Sequence, residues 1–126
     1  MINSDALFFF DQNPAALPLL EAFEEQLQRK VGEFTVRVQK SQITYSNRHV
    51  FACVSFLKVR KAKQRPPVYI VVTFGLDHRV DSPRIDAAVE AYPRRWTHHV
   101  LVSDIGEIDD ELMNWVQQAY LFSAVK

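Results

Sequence analysis

The sequence predicts an α+β domain: a two-layer sandwich with a helix, a mainly antiparallel sheet of about five strands and a C-terminal helix. Two observations support this fold class. Apolar residues alternate along residues 48–58 and 67–76, which is the period of a strand. Near both ends of the chain they recur at steps of three and four, the period of a helix face. Because 126 residues can bury about two-thirds of the unfolded surface, we expect residues 1–126 to form one domain.

The two alternating runs are predicted to be neighbouring strands with one fully buried face. The register that is apolar throughout holds Val50, Ala52, Val54, Phe56, Val68, Ile70, Val72 and Phe74. The opposite register is mixed and holds Phe51, Cys53, Ser55, Leu57, Tyr69, Val71 and Thr73. The second face is therefore expected to be partly open, as is common in antiparallel sheets.

Two amphipathic helices are expected to cover the buried face. The first begins at Asn13–Pro14 or at Pro18 and runs to about Lys30, before Gly32. The last begins after Gly106, with acidic residues in its first turn, as the helix dipole favours. The two apolar stripes are Ala16, Leu20, Phe23, Leu27 and Val31, and Ile108, Leu112, Trp115, Ala119 and Phe122. An apolar stub at residues 6–10 is expected to pack against the body.

Further strands are indicated on either side of the central pair. Residues 34–38 alternate, a short strand follows through Ile43 and Tyr45, and residues 96–103 alternate cleanly. In the last of these, His98 is expected to point into the core and His99 outward. Residues 77–93 fit either a short helix or a loop that leads into an edge strand.

Charge is segregated along a chain whose net charge is zero. Between Arg29 and Arg65 there are ten basic residues and a single acid, Glu33. The connection 58–67 carries Lys58, Arg60, Lys61, Lys63 and Arg65. This segment is either an arm that binds nucleic acid through phosphate contacts or a solvated hairpin tip whose charges discourage edge association.

The sequence contains no catalytic signature. His98 and His99 point to opposite faces of a strand, so they cannot share a metal ion, and we predict neither a metal nor a cofactor. Cys53 lies in a strand without a base nearby in sequence, and the three glycines form no phosphate loop. No apolar run is long enough to cross a membrane, so a cytoplasmic protein is expected.

A set of polar residues remains for recognition. On the open face we expect Arg37, Lys40, Tyr45 and His99, with His98 as a further candidate whose simpler interpretation is a core imidazole. Arginine and tyrosine on a partly apolar surface suit an anion or a planar ligand. The leading hypothesis is therefore a non-catalytic domain that binds a small anionic ligand or a protein partner. The alternatives are nucleic-acid binding through residues 58–67 and an enzyme that uses His98 or His99 as a base.

Four runs of the chain resemble an uncharacterised bacterial family, domain of unknown function number 5655. They are VRVQKSQITYSNRHVFACVSF, VVTFGL, AYPRRWTHHV and IDDELMNWVQQAY. Members often carry a Lys, a small residue and an aromatic strand, which Lys40, Ser41 and Tyr45 match, and a Trp-Thr-His-His string, which residues 96–99 match. Where the family commonly has Glu-Pro, this chain has Glu90 and Ala91. The resemblance implies a helix, an antiparallel meander and a closing helix, a type of domain for which DNA binding has been proposed.

Overall fold

The computed structural model describes residues 13–125, so the apolar stub at residues 6–10 lies outside the described part. Helix α1 spans Leu17–Lys30 and helix α2 spans Asp110–Val125. Between them lie six strands: β1 (Thr35–Val38), β2 (Gln42–Ser46), β3 (Val50–Ser55), β4 (Ile70–Leu76), β5 (Ala87–Tyr92) and β6 (Arg95–Val102). The α+β class is confirmed, with six strands in place of about five.

The strands form one open antiparallel sheet in the order β1-β2-β3-β4-β6-β5. The additional strand is β5, which belongs to the segment that the sequence left open. Residues 77–86 contain no helix and turn at Ser82, whose carbonyl accepts from Ile85 N–H, before β5 begins at the sheet edge. Alanines and a single valine alternate poorly with polar residues, which is why periodicity could not identify this strand.

Both helices pack on one face of the sheet, as the apolar register predicts. The buried cluster joins Leu20, Phe23 and Leu27 of α1 and Leu112, Val116 and Ala119 of α2 to Ile43, Val54, Val72 and Val100 of the sheet. Helix α1 begins after a 3-10 turn over Pro14–Ala16, and Pro18 lies in its first turn. The side chain of Asn13 caps neither, so the later of the two predicted starts is the better one.

The alternation predicted for β3 is wrong at its first two residues. The register between β2 and β3 shifts after Tyr45, so that Phe51 is an extra residue in a β-bulge. Phe51 is 2% exposed in the core, with its ring 5.1 Å from that of Tyr120, whereas Val50 is 51% exposed. A bulge reverses the side-chain alternation on one strand, and nothing in the local apolar pattern reveals it.

Residues 77–86 close the helix-covered layer beside α2. Val80 and Ile85 pack against the core, and the guanidinium of Arg84 donates to Asp109, to Glu111 and to the carbonyl of Glu107. Arg84 also lies 5.9 Å from the ring centre of Trp115. Arg84 thereby ties this segment to the start of α2, and among residues 13–125 no α-helix covers the opposite face of the sheet.

Candidate functional site on the open face

One row of paired residues crosses the whole open face. The sheet register aligns Arg37 with Thr44, Thr44 with Cys53, Cys53 with Thr73, and Thr73 with His99, which in turn pairs with Ala87. Paired residues of neighbouring strands point to the same face about 4.8 Å apart, so Cys53 and His99 lie about 10 Å apart on either side of Thr73. Polar groups distant in sequence are thus gathered into one line.

The central part of this row forms the floor of a groove of about 640 Å³. The lining residues are Lys40, Ser41, Gln42, Cys53, Ser55, Phe56, Leu57, Thr73, Thr97 and His99. Within residues 13–125 the lining includes no acidic residue, and Lys40 is its single formal cation. Phe56 and Leu57 supply an apolar wall, with Leu57 48% exposed. The groove therefore combines one positive charge, several hydrogen-bonding groups and an apolar side.

Hydrogen bonds connect the groups of the floor. The hydroxyl of Thr73 lies 2.8 Å from Nδ1 of His99, and Cys53 is paired with Thr73 on the neighbouring strand. Sγ of Cys53 lies 3.9 Å from Oε1 of Gln42, whose amide nitrogen donates to Gln39. The floor thus holds two hydrogen-bonded groups side by side, Thr73 with His99 and Cys53 with Gln42.

Both titratable groups of the floor are shifted toward their neutral forms. Burial raises the pKa of the Cys53 thiol, although the hydrogen bond with Thr73 acts in the opposite direction. Burial also lowers the pKa of His99. Near pH 7 the floor is therefore uncharged, with a thiol rather than a thiolate, and a nucleophilic Cys53 is disfavoured.

The basic segment 58–67 is folded onto the same face beside the groove. Val59 packs on a small second cluster made by Tyr69, Val71 and Leu101. Nε of Arg60 donates to Asp86 at 2.7 Å, and the same carboxylate accepts from the N–H of Leu101. Lys58, Lys61 and Lys63 remain exposed, and Nε of Arg65 is buried without a hydrogen-bond partner among residues 13–125. This segment is therefore a cover over one end of the open face, not a projecting hairpin tip.

Three of the five predicted binding residues lie on the open face. Lys40 and His99 line the groove, and Arg37 is exposed on edge strand β1 in the same row as His99. Thr73, Thr97, Gln42, Ser55 and Cys53 complete the groove, and the sequence analysis did not select them as binding residues. In the sequence these residues are marked only by their polarity within a mixed strand pattern. They form one site because the pairing of the strands aligns them.

Tyr45 does not lie on the open face, and this expectation is wrong. It is fully buried under the helices, and its hydroxyl donates to the carboxylate of Glu24 in α1 at 2.7 Å. Burial and the nearby Glu24 raise the pKa of Tyr45 well above its ordinary value. Burial likewise raises the pKa of Glu24, against the effect of the Tyr45 hydrogen bond. Tyr45 lies two residues after Ile43 in β2, so its side chain points to the same face, into the core. Its hydroxyl therefore needs a buried hydrogen-bond partner.

His98 is a core residue, as its simpler interpretation predicts. It is fully buried, its ring stacks on Phe74 at 5.0 Å, and its Nε2 accepts a hydrogen bond from the N–H of Val80 at 2.9 Å. Burial lowers the pKa of His98. Because it faces the helices, His98 and the groove residue His99 are on opposite sides of β6.

A larger concavity of about 930 Å³ lies between the end of α1, the β2–β3 turn and the end of α2. Two of its polar groups are used within the fold: the Tyr120 hydroxyl donates to the carbonyl of Glu33, and the Asn47 amide donates to the carbonyl of Tyr120. The open-face groove is smaller, but two titratable groups with shifted pKa values, Cys53 and His99, lie on its floor.

Residues 13–125 contain no cluster of three or more histidine, cysteine, aspartate or glutamate side chains arranged to hold a metal ion. Within the same residues, no helix has the length and apolar character needed to cross a membrane.

Together, the fold and the groove define a two-layer α+β domain with one helix-covered sheet face and one polar, grooved face. The model of the family described as domain of unknown function DUF5655 matches residues 8–123, so the chain belongs to this family. The comparison with curated proteins and the comparison with solved structures each found no significant match.

Proposed function

We propose that this protein is a non-catalytic domain that binds a small anionic ligand in the open-face groove. The observation that carries the proposal is a concave site whose described lining has one cation, Lys40, several hydrogen-bonding groups and no acidic residue. Concave sites with a few convergent polar groups suit small molecules, whereas protein interfaces bury about 800 Å² per partner over broader surfaces. A small ligand is therefore favoured over a protein partner.

Catalysis at His99 is disfavoured by its surroundings. A general base is normally oriented by a third group, and among residues 13–125 the ring makes a hydrogen bond with Thr73 but with no carboxylate. The carboxylate of Asp86, whose backbone N–H donates to the carbonyl of His99, is already bonded to Arg60 and to the N–H of Leu101. We therefore assign His99 a binding role.

The single cysteine of the chain provides a direct test, because Cys53 lies on the groove floor. The protein is incubated with citrate, inorganic phosphate, AMP or hexanoate, and alkylation of Cys53 by N-ethylmaleimide is followed by intact mass. At least one anion is expected to slow alkylation and to shift the amide resonances of residues 40–42, 53–57, 73 and 97–99.

Two lysine variants make the test specific. Lys40→Gln is expected to weaken the protecting effect, whereas Lys63→Gln, which removes an exposed lysine outside the groove lining, is expected to preserve it. Shifts confined to α1 and α2, or equal loss in both variants, would contradict a groove site.

Nucleic-acid binding by the basic segment is the second candidate. Lys58, Lys61 and Lys63 are exposed, and none has a carboxylate within ion-pair distance among the described residues. A short DNA or RNA duplex is expected to bind with affinity that falls steeply from 50 to 200 mM salt, because each phosphate contact releases counterions. Alanine at these three lysines should remove that binding; Arg60 is retained because it pairs with Asp86. Equal binding by the triple variant would exclude the segment.

A further inference from the structure

We infer that the groove ligand is an amphipathic monocarboxylate, with its carboxylate at Lys40 and its apolar body against Phe56 and Leu57. This inference depends on the proposed function, since it names the class of anion. Three features of the groove support it: the amount of positive charge, the apolar wall and the neutral floor.

The charge of the groove matches one carboxylate better than a phosphate group. A phosphate carries about −1.5 to −2 near pH 7 and is usually held by arginine forks or by a nest of backbone N–H groups. The lining of the groove includes Lys40 and no arginine. The neighbouring Arg60 is already paired with Asp86, and Arg37 lies outside the lining at the far end of the row.

The apolar wall gives the ligand a second, uncharged part. Leu57 is 48% exposed although it lines the groove. Phe56 beside it is half-buried, packs against the helix-covered core and has its ring 6.3 Å from that of Tyr69. A ligand that carried only charge would leave the exposed part of Leu57 in water. A hydrocarbon or aromatic body placed there removes apolar surface from solvent, which favours binding.

The floor between the cation and the wall selects against a second charged group. It consists of a thiol, hydroxyl groups and an imidazole, with hydrogen bonds between Thr73 and His99 and between Cys53 and Gln42. Burial disfavours the ionised forms of both Cys53 and His99. The volume of about 640 Å³ is within the usual range for small-molecule sites.

The test compares hexanoate with hexanol, its uncharged counterpart, and with inorganic phosphate. Protection of Cys53 from N-ethylmaleimide and amide shifts report occupancy. Hexanoate is expected to protect Cys53 at a concentration roughly threefold to fivefold lower than hexanol, the range of a solvent-accessible ion pair. Lys40→Gln should abolish this preference, and Lys63→Gln should retain it.

The outcomes separate the inference from the proposed function. Equal protection by hexanol and hexanoate in the wild type would overturn the role of Lys40 as the carboxylate anchor. Protection by phosphate, citrate or AMP without protection by hexanoate would overturn the monocarboxylate class while the anion site stands. If none of the four anions acts at the groove, both proposals fall.

Discussion

On the two faces of the sheet, neighbouring residues of the same type lie in different surroundings. His98 and His99 are adjacent on β6, and burial lowers the pKa of both. His98 is sealed under the helices, stacked on Phe74 and bonded to the backbone of Val80. His99 lines an open groove and is bonded to Thr73. The direction of the pKa shift therefore does not distinguish a histidine in the core from one on the open face, whereas its position in the sheet does.

The largest effect on the free energy of unfolding is expected at the β-bulge, where Phe51 is buried and Val50 is exposed. Phe51→Ala should lower the free energy of unfolding by about 3–5 kcal/mol, because it empties an aromatic site in the core. Val50→Ala, at the exposed neighbouring position, should change it by no more than about 0.5 kcal/mol. Urea unfolding of both variants measures the difference. Similar costs for the two substitutions would mean that β3 keeps a regular alternation.

The next effect concerns the helix-covered histidine. His98→Gln should cost about 1–3 kcal/mol near pH 7.5, because the stack on Phe74 is lost and the buried N–H of Val80 needs a new acceptor. His99→Gln should cost less, about 0.5–1.5 kcal/mol, because it loses the hydrogen bond with Thr73 but no core stacking. Thermal or urea unfolding at this pH compares them, and a larger cost for His99→Gln would reverse the assignment of the two faces.

The same two histidines predict a pH dependence with a defined sign. Their folded-state pKa values lie below the ordinary value of about 6.5, so the unfolded chain takes up protons first as the pH falls. Stability is therefore fully present above about pH 7 and decreases as the pH falls toward 5. Each single glutamine variant should show a flatter profile than the wild type over this range. An unchanged slope in both variants would exclude the histidines as the cause.

A smaller effect compares the two arginines that hold the connections around β5. Arg84→Met should cost about 1–2 kcal/mol, reduced by solvent because its partners Asp109 and Glu111 have side chains that are 45% and 55% exposed. Arg60→Met should cost at least as much, since its partner Asp86 is only 12% exposed and would keep the N–H of Leu101 but lose its ion pair. Urea unfolding at pH 7 ranks the variants, and a much smaller cost for Arg60→Met would contradict a stabilising role of the Arg60–Asp86 pair.

Lowering the pH should remove the stabilisation that Arg84 contributes through Asp109. Burial favours a raised pKa for Asp109, but the hydrogen bonds from Arg84 and from the N–H of Leu112 outweigh it and hold the pKa below its usual value. The stability from this pair is present above about pH 4 and is lost as the pH falls through the lowered pKa. The difference between wild type and Arg84→Met should therefore shrink below about pH 4.

The smallest effect lies on the groove floor. Thr73→Val removes the hydroxyl at nearly constant shape and should cost about 0.5–1.5 kcal/mol. Because burial is the cause of the lowered pKa of His99, an NMR titration of the variant should still place that pKa below 6.5. A return to the ordinary value would show that the Thr73 bond, not burial, sets the protonation of His99.

The sequence by itself determined the helices, the central strands and the face that the helices cover. These features depend on local periodicity. The helical stripes are regular around Phe23 and Leu112, and the strands alternate regularly around Val72 and Val100, so the buried face could be predicted. The opposite orientations of His98 and His99 follow from the same period of two, which the regular pairing of β6 with β4 preserves.

Only the tertiary structure decided which polar residues meet. Cys53, Thr73 and His99 come from three strands, and the interstrand register that aligns them is set by long-range pairing, which one sequence does not display. The bulge that buries Phe51, the fold-back of Arg60 onto Asp86 and the edge strand β5 likewise depend on partners remote in sequence. Local patterns record burial, whereas a groove is formed by the alignment of separate strands.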